Sequence, residues 1–334
     1  MNIESLLALP LSSLASLRLS RRDSFGTFVA AACLLEASSI KAGNVHPQAS
    51  FDNMDYGHFR LSAEVTGKTI DGLFSKALDT RSKAPSVGDC IYEMTQATSQ
   101  QVGVNTNLGT LILLGPLLVA THKLDSNFID YKDLQQSVSS VLATLNRTDS
   151  EAIYKSIQIA NPGGLGTSNQ MDAHMEPPAS ILDAMSFAQQ KDDVAKQWVS
   201  DYETVFSLAM RLRELVDGQK QESPDWLEAI SLAQIEYLAS NVDSLIVRKN
   251  NNELAVEVRR RAEELISLRS STLLSSTLLS SASLKSDLLE YQQQWNEFDD
   301  FLRADGNRRN PGTTADLLAA ACYVSLVCEA SCGK

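Results

Sequence analysis

Apolar residues recur at steps of three and four along almost every stretch of this chain that lacks glycine and proline, and this helical spacing is the feature that most limits its fold. The clearest stripe ends at Gly218 and contains Tyr202, Val205, Phe206, Ala209, Leu212, Leu215 and Val216. Alternation typical of a strand is hard to find. No repeat of solenoid length is visible, so the sequence predicts an all-α fold, a compact multi-helix bundle.

The length and composition favour one packed domain. Apolar residues make up 43% of the 334 residues and charged residues 21%, which is typical of a globular chain with a substantial core. We expect a helical extension over residues 1–24 and a single domain over residues 25–334. A tandem Ser-Thr-Leu-Leu-Ser copy from Ser271 to Ser280 fits neither a helix nor a strand well, so residues 271–284 are interpreted as a Ser/Leu-rich insertion.

The charge and cysteine usage restrict the partners and the location. A formal net charge of -12 repels a nucleic-acid backbone, so nucleic acid is not expected as a partner. To bind a small polyanion, the protein needs a pocket with local cations, helix N-termini or a divalent ion. Five cysteines without CxxC pairs indicate reduced thiols and a cytoplasmic protein. The longest apolar run, Leu108 to Ala120, is shorter than the about 20 residues a membrane helix needs, so no membrane span is expected.

An inward carboxylate and a polar loop follow each other near the start of the domain. Glu36 lies on the apolar face of a helix that begins at Phe25, and a buried carboxylate costs several kcal/mol unless it meets a cation, a metal or a donor. A structural ion pair is the alternative to a catalytic role. The loop that follows offers a flexible glycine and donors suited to a phosphate or a base, namely Lys41, Gly43, Asn44 and His46.

Two acids and a histidine come next, in the block Phe51 to Phe59. A helical reading places Asp52 and Asp55 on one side, with His58 near Asp55. These groups could hold Mg²⁺ or act as acid and base, whereas helix capping explains Asp52 alone.

Two further segments suggest phosphate contacts. Asn105, Asn107 and Gly109 precede an apolar helix, whose free N–H groups and dipole can receive a phosphate, although capping explains one asparagine. Arg248 and Lys249 close what reads as a long middle helix, where cations are also ordinary partners of the dipole.

The remaining acids precede apolar helices. Asp172 and Glu176 stand before the helix that opens at Ser180, and Asp316 is in the first turn of the helix that runs to Ala330. Acids at such places suit a metal site or simple compensation of the helix dipole.

Taken in order, these segments resemble the successive motifs of the triphosphoribosyl-dephospho-CoA synthase family, over roughly Phe25 to Val327. The likeness is carried by Glu36 with Asn44-Val45-His46-Pro47, by Phe51 to Phe59, by Asn105-Thr106-Asn107-Leu108-Gly109, by Asp172 to Met185, and by Asn310-Pro311-Gly312-Thr313-Thr314-Ala315-Asp316-Leu317-Leu318-Ala319-Ala320.

The resemblance implies an all-helical enzyme that joins ATP to 3'-dephospho-CoA, forming 2'-(5''-triphosphoribosyl)-3'-dephospho-CoA and adenine, with Mg²⁺ and with ATP and a small-molecule acceptor as partners. Carboxylates would stabilise an oxocarbenium-like state while a general acid assists adenine departure. The predicted roles are catalytic for Glu36, Asp55 and His58; nucleotide- and phosphate-binding for Lys41, Gly43, Asn44, His46, Asn105, Asn107, Gly109, Arg248 and Lys249; and metal-binding for Asp52, Asp172, Glu176 and Asp316.

Departures from the family pattern leave the acceptor open. Ala42 replaces a proline usual before the Gly-Asn pair, and Asn107-Leu108 stands where members tend to have His and a basic or polar residue, so the chain resembles a divergent branch. The alternatives are a transferase acting on another acceptor, for example in tetrahydromethanopterin-type cofactor synthesis, and a non-catalytic nucleotide-binding or scaffold protein. A shared site predicts that one cleft gathers Glu36, Asp52, Asp55, His58, Asn105, Asn107, Asp172 and Asp316.

Overall fold

A computed structural model describes residues 1–80, 84–124, 128–163, 170–217, 225–276 and 281–330, with the side chains of 78–80, 270–276 and 281–286 left undescribed. Gly218, where the clearest apolar stripe ends in the sequence, lies outside these ranges. Of the expected insertion, the backbone of 271–276 continues one helix and that of 281–284 begins the next, and residues 277–280 lie outside the description.

The all-α prediction is confirmed. The fold is 73% helical, and the described ranges contain sixteen helices and no strand. Isolated bridges pair His46 with Ala49 and Phe51 with Met54. In chain order the helices are α1 (Ile3–Leu7), α2 (Leu11–Ala15), α3 (Phe25–Ser38), α4 (Tyr56–Thr80), α5 (Val87–Gln101), α6 (Leu108–Lys123), α7 (Tyr131–Leu142), α8 (Arg147–Ala160), α9 (Ile181–Ala188), α10 (Asp193–Val199), α11 (Glu203–Asp217), α12 (Trp226–Ser240), α13 (Ser244–Lys249), α14 (Asn252–Ser276), α15 (Ser281–Asn307) and α16 (Gly312–Glu329).

Three helices form the centre of the bundle because they are apolar on every side. In α3, α6 and α16 most residues are buried, whereas surface helices bury only one stripe. Helix α3 packs against α4 and α16, and α16 also packs against α6 and α11. The polar residues at the starts of α6 and α16 and near the end of α3 are therefore held by the most deeply buried helices of the fold.

Two smaller parts complete the packing. The N-terminal segment is joined to the main core, since Leu6 and Leu14 are buried there and the indole N–H of Trp226 donates to the carbonyl oxygen of Leu17 (3.1 Å). A second buried cluster lies among α12, α13, α14 and α15, and includes Ile246 and Leu302.

No single helix in the described ranges is both long and apolar enough to cross a membrane. The segments Asp287–Asn307 and Gly312–Glu329, which are bent by 115° at the break between them, are long and apolar enough only when taken together, and by length and composition only.

The middle helix is shorter than the sequence predicted. Helix α12 ends at Ser240, and Asp243 begins a separate helix by accepting hydrogen bonds from the N–H groups of Leu245 (2.9 Å) and Ile246 (3.1 Å). A side-chain oxygen at this position satisfies donors that have no partner within the helix. The last turn of α13 therefore carries Arg248 and Lys249.

The block from Phe51 to Phe59 is helical only in its second half. Backbone hydrogen bonds join Phe51 and Met54 into a turn, and α4 begins at Tyr56. Asp52 therefore lies outside the helix and does not cap it. Asp55 takes that role, because its Oδ1 accepts from the N–H of His58 (3.1 Å).

Candidate active site

One large cleft opens where several central helices begin or end. Its volume is about 1410 Å³, and its wall is formed by the end of α3, the segment before and within the start of α6, the end of α8, helix α9, the starts of α10 and α16, and the end of α13. Ligand pockets are typically about 300–1,000 Å³. The cleft therefore has room for more than one small molecule.

The cleft is lined by many, but not all, of the site residues predicted from the sequence. Its lining includes Glu36, Asn44, Asp52, Asn105, Asn107, Gly109, Asp172, Arg248, Lys249 and Asp316. The lining does not include Lys41, Gly43, His46, Asp55, His58 and Glu176.

Asp316 is fixed to the start of α6. Its Oδ1 accepts hydrogen bonds from the backbone N–H (2.8 Å) and the hydroxyl (2.7 Å) of Thr110. Its Oδ2 lies so close to Gly109 that a Cβ there would be 2.2 Å away. Burial raises the pKa of Asp316 to about 7; the Thr110 hydrogen bonds oppose this rise, and the charges of Glu36 and Asp192 add to it. A carboxyl group with this pKa can exchange a proton near neutral pH.

Glu36 and Lys41 form a buried ion pair at the wall of the cleft. The Lys41 Nζ lies 3.0 Å from Glu36 Oε1, and it also donates to the carbonyl oxygens of Glu36 and Ser39. Burial raises the pKa of Glu36, and the Lys41 ammonium opposes that rise. The structural ion pair that the sequence offered as an alternative role for Glu36 is thus present. The Lys41 ammonium, which was expected to contact phosphate, already donates to three acceptors.

The loop after Lys41 is anchored from α15. Gly43 has a φ of +73°, and its N–H donates to Asp299 Oδ1 (2.7 Å). A Cβ at Gly43 would lie 2.6 Å from the Cβ of Leu302, so the close approach requires glycine. Arg303 pairs with Asp299 (2.8 Å) and donates to the carbonyl oxygen of Asn44 (2.6 Å).

The side chains of this loop are engaged in the same way. Asn44 Nδ2 donates to Asn310 Oδ1, and Gln234 Nε2 donates to Asn44 Oδ1, both at 2.7 Å. His46 is buried; desolvation and the charges of Arg303 and Lys41 lower its pKa to about 4, so the ring is neutral at physiological pH.

Three predicted site residues that do not line the cleft have partners of their own. His58 Nδ1 lies 2.8 Å from Asp55 Oδ1, and 58% of the Asp55 side chain is exposed. The backbone hydrogen bond from His58 is the main reason why the pKa of Asp55 is lowered. Glu176 pairs with Arg147 (2.6 Å) and is 80% exposed.

Cations line one side of the cleft. Arg248 forms a salt bridge with Asp192, whose Oδ1 caps α10 by accepting from Val194 N–H (2.8 Å). Desolvation and the neighbouring Arg248 lower the pKa of Lys249. Lys191 and Asp192 also line the cleft, and sequence reasoning missed both. The Asp192-Asp193 pair at a helix start was the available signal, since acids are typical of that position.

Another part of the cleft lining is largely apolar. It is formed by residues of α8, α9 and the segment between them, including Tyr154, Ile157, Met171, Ala173 and Met185. Tyr154 donates to the carbonyl oxygen of Met171 (3.2 Å), which links α8 to that segment. One cleft thus presents a charged wall and an apolar wall.

The metal-binding role expected for four of the acids stays a prediction. Within the described ranges, no three His, Cys, Asp or Glu side chains come together in a way that could hold a metal ion. Of the four predicted metal ligands, Asp52, Asp172 and Asp316 line the cleft and Glu176 does not.

Comparisons with known proteins agree with the arrangement of motifs. The family model described as ATP:dephospho-CoA triphosphoribosyl transferase (CitG) matches residues 22–333. A search of curated proteins gives no match. A crystal structure from Archaeoglobus fulgidus, described as that of a candidate triphosphoribosyl-dephospho-CoA synthase, is similar with a TM-score of 0.54 and 19% identity, over 81% of this chain and 98% of that chain. At this identity the structural match shows a shared fold.

Proposed function

The chain belongs to the ATP:dephospho-CoA triphosphoribosyl transferase family and is a transferase, and we propose that its cleft holds Mg-ATP and an acceptor hydroxyl side by side. The observation that carries this proposal is the cleft itself, in which segments from α3 to α16 meet around a volume of about 1410 Å³. Joining two substrates requires both to be held in a reactive geometry, and that is the main contribution of a preformed cleft to the rate.

The charged wall is proposed to receive the triphosphate. Lys191, Arg248 and Lys249 line it, and the start of α6 brings Asn105 and Asn107 to the same cleft. Lysine and arginine side chains are usual partners of phosphate oxygens, and asparagine side-chain amides are further donors. Arg248 is paired with Asp192, so phosphate binding would have to displace or share that contact.

Asp316 and Glu36 are proposed as the acid and base of the transfer. The bond from C1' of ATP to adenine breaks, its electron pair stays on adenine, and the acceptor oxygen forms the new bond to C1'. Protonated Asp316 donates a proton to adenine, and the Glu36 carboxylate accepts the hydroxyl proton and faces the positive charge that develops at C1'. Their environments are compatible with these roles. Burial raises the pKa of Asp316 to about 7; burial also raises the pKa of Glu36, and the Lys41 ammonium opposes that rise by stabilising the carboxylate.

Magnesium is proposed to arrive with ATP as part of the substrate. Asp52 and Asp172 supply oxygen atoms, which Mg²⁺ prefers, but the described residues do not form a three-ligand site of their own. The cleft lining does not supply an excess of cations over carboxylates, so a divalent ion on the phosphates would offset part of the triphosphate charge. A cytoplasmic location belongs to the same proposal, because it supplies ATP and keeps thiols such as Cys33 and Cys90 reduced.

The deciding experiment follows free adenine by chromatography after incubation with Mg-ATP and 3'-dephospho-CoA. We expect adenine from the native chain and a loss of roughly 10²- to 10⁴-fold for Asp316→Asn, which keeps the shape of the side chain but removes the acid. Adenine released only with a pterin or another alcohol would identify a different acceptor. ATP binding by calorimetry without any adenine would favour the scaffold alternative.

A further inference from the structure

A buried carboxylate outside the cleft joins the two elements that carry the proposed phosphate-binding and acid residues. Asp243 is 1% exposed and is not part of the cleft lining. Its Oδ1 caps α13 by accepting from the N–H groups of Leu245 (2.9 Å) and Ile246 (3.1 Å). Its Oδ2 accepts from the N–H and the hydroxyl of Thr314, both at 2.7 Å. All four bonds connect helix starts.

From Asp243 the contacts lead along α16 to Asp316 and along α13 to Arg248 and Lys249. Thr314 is two residues before Asp316, which is in turn held by Thr110 at the start of α6. In the other direction, α13 is only six residues long and ends with Arg248 and Lys249. Asp243 therefore links the helix that carries Arg248 and Lys249 to the helix that carries Asp316.

Neighbouring contacts reinforce this junction. The Ser244 hydroxyl lies 3.1 Å from the Thr313 hydroxyl and accepts from the N–H of Asp193 (3.1 Å). At Gly312 a Cβ would lie 2.6 Å from Leu245 Cδ2, so α16 starts in direct contact with α13. The starts of α10, α13 and α16 thus meet at one place, and the Asp243 carboxyl group bonds to two of them, α13 and α16.

We propose that Asp243 is a positioning residue for the transfer, which acts by holding Asp316 in register with the cations of α13. The inference rests on the proposed function, because Asp316 must act on the substrate for its position to matter. A shift of about 1 Å in a reacting group can lower a rate by roughly 10²-fold, even when the change is made outside the site.

Asp243→Asn separates positioning from simple loss of structure. The amide oxygen can still accept from the N–H groups of Leu245 and Ile246, so α13 and its cations keep their cap. The amide nitrogen would then face the N–H of Thr314, and two donors cannot bond to each other. The disturbance should therefore fall on α16 and Asp316, while the cations of α13 stay in place.

The expected result is a lower kcat for adenine release, by roughly 10- to 100-fold, with the ATP dissociation constant from calorimetry little changed. Thr314→Val should give a smaller loss in the same direction, because the backbone N–H at position 314 keeps its bond to Asp243. If Asp243→Asn does not fold, the Thr314→Val result decides the question.

The matched control is Asp149→Asn. Asp149 is also buried, accepts from the N–H groups of Gly88 (2.9 Å) and Asn146 (3.1 Å), and does not line the cleft. Its variant should lose stability but keep kcat per folded molecule.

The outcomes separate the two proposals. Two results would overturn the positioning role and leave the transferase proposal intact, provided that the native chain releases adenine. In the first, Asp243→Asn releases adenine as fast as the native chain. In the second, its kcat and its ATP affinity fall in parallel. A native chain that binds ATP but never releases adenine would overturn both.

Discussion

Replacing Gly109 with alanine should disable the cleft while leaving the fold intact, because the added methyl group would collide with Asp316. An ideal Cβ at position 109 lies 2.2 Å from Asp316 Oδ2 and 2.6 Å from its Cγ. The carboxylate cannot move away freely, since Thr110 holds its Oδ1 with bonds of 2.8 and 2.7 Å. Gly109 is the second residue of α6 and has no positive φ, so the backbone itself accepts alanine.

The size of the effect follows from how the collision can be relieved. Either the start of α6 moves away from α16, or Asp316 gives up its bonds to Thr110. Overpacking in a well-packed region typically costs about 1–3 kcal/mol, and we expect the free energy of unfolding to fall by that amount. Displacing the proposed acid should lower adenine release more strongly, by roughly 100-fold.

The assay compares Gly109→Ala with Gly72→Ala by urea unfolding and by chromatography of adenine. Gly72 is an exposed glycine of α4, and a Cβ there would have nothing within 4 Å. Alanine is favoured over glycine inside a helix by about 0.5–1 kcal/mol, so this control should be as active as the native chain and no less stable. A fully active Gly109→Ala protein would refute the argument, because it would mean that the contact between Gly109 and Asp316 does not matter for transfer.

Two further changes test the buried charges. Lys41→Met should lower the free energy of unfolding in urea by about 3–5 kcal/mol, because it leaves the buried carboxylate of Glu36 without its cation; a change below 1 kcal/mol would contradict the buried pair. Burial raises the pKa of Asp316 to about 7 from an ordinary value of about 3.9, so the folded chain binds more protons than the unfolded chain between these values, and the free energy of unfolding should fall as pH rises from about 4 to 7. Asp316→Asn should remove this part of the pH dependence, and an unchanged slope in urea unfolding across that range would show that Asp316 titrates normally.

The sequence predicted the helices well because their signal is local. Apolar spacing is set by the geometry of a helix, so the all-α fold and the inward face that carries Glu36 could be found without any knowledge of neighbours. The order of motifs also pointed to the cleft, whose lining includes residues as distant in sequence as Glu36 and Asp316. The spacing of Asp55 and His58 correctly suggested that the two side chains interact. It could not show that neither side chain lines the cleft.

Other contacts depend on tertiary packing and could not be predicted. Lys41 was expected to contact phosphate, yet the chain turns after Ser38 and brings its ammonium back onto Glu36. Asp192 was overlooked, because it precedes a helix of only seven residues, too short for a convincing periodic pattern. The bond network of Asp243 spans residues 71 positions apart, and no spacing rule reports such a contact.

The charges of the cleft explain how an acidic chain can receive a triphosphate. Within the described ranges, the carboxylates that line the cleft are Glu36, Asp52, Asp172, Asp192 and Asp316, and the lysine and arginine side chains are Lys191, Arg248 and Lys249. Lys41 neutralises Glu36 from behind, and protonation of Asp316 near neutral pH removes a second negative charge. The remaining acids are then balanced locally by the three cations, despite a net charge of -12 for the chain. A cleft that is close to neutral does not attract a highly charged triphosphate by itself, so the substrate should enter as its magnesium complex.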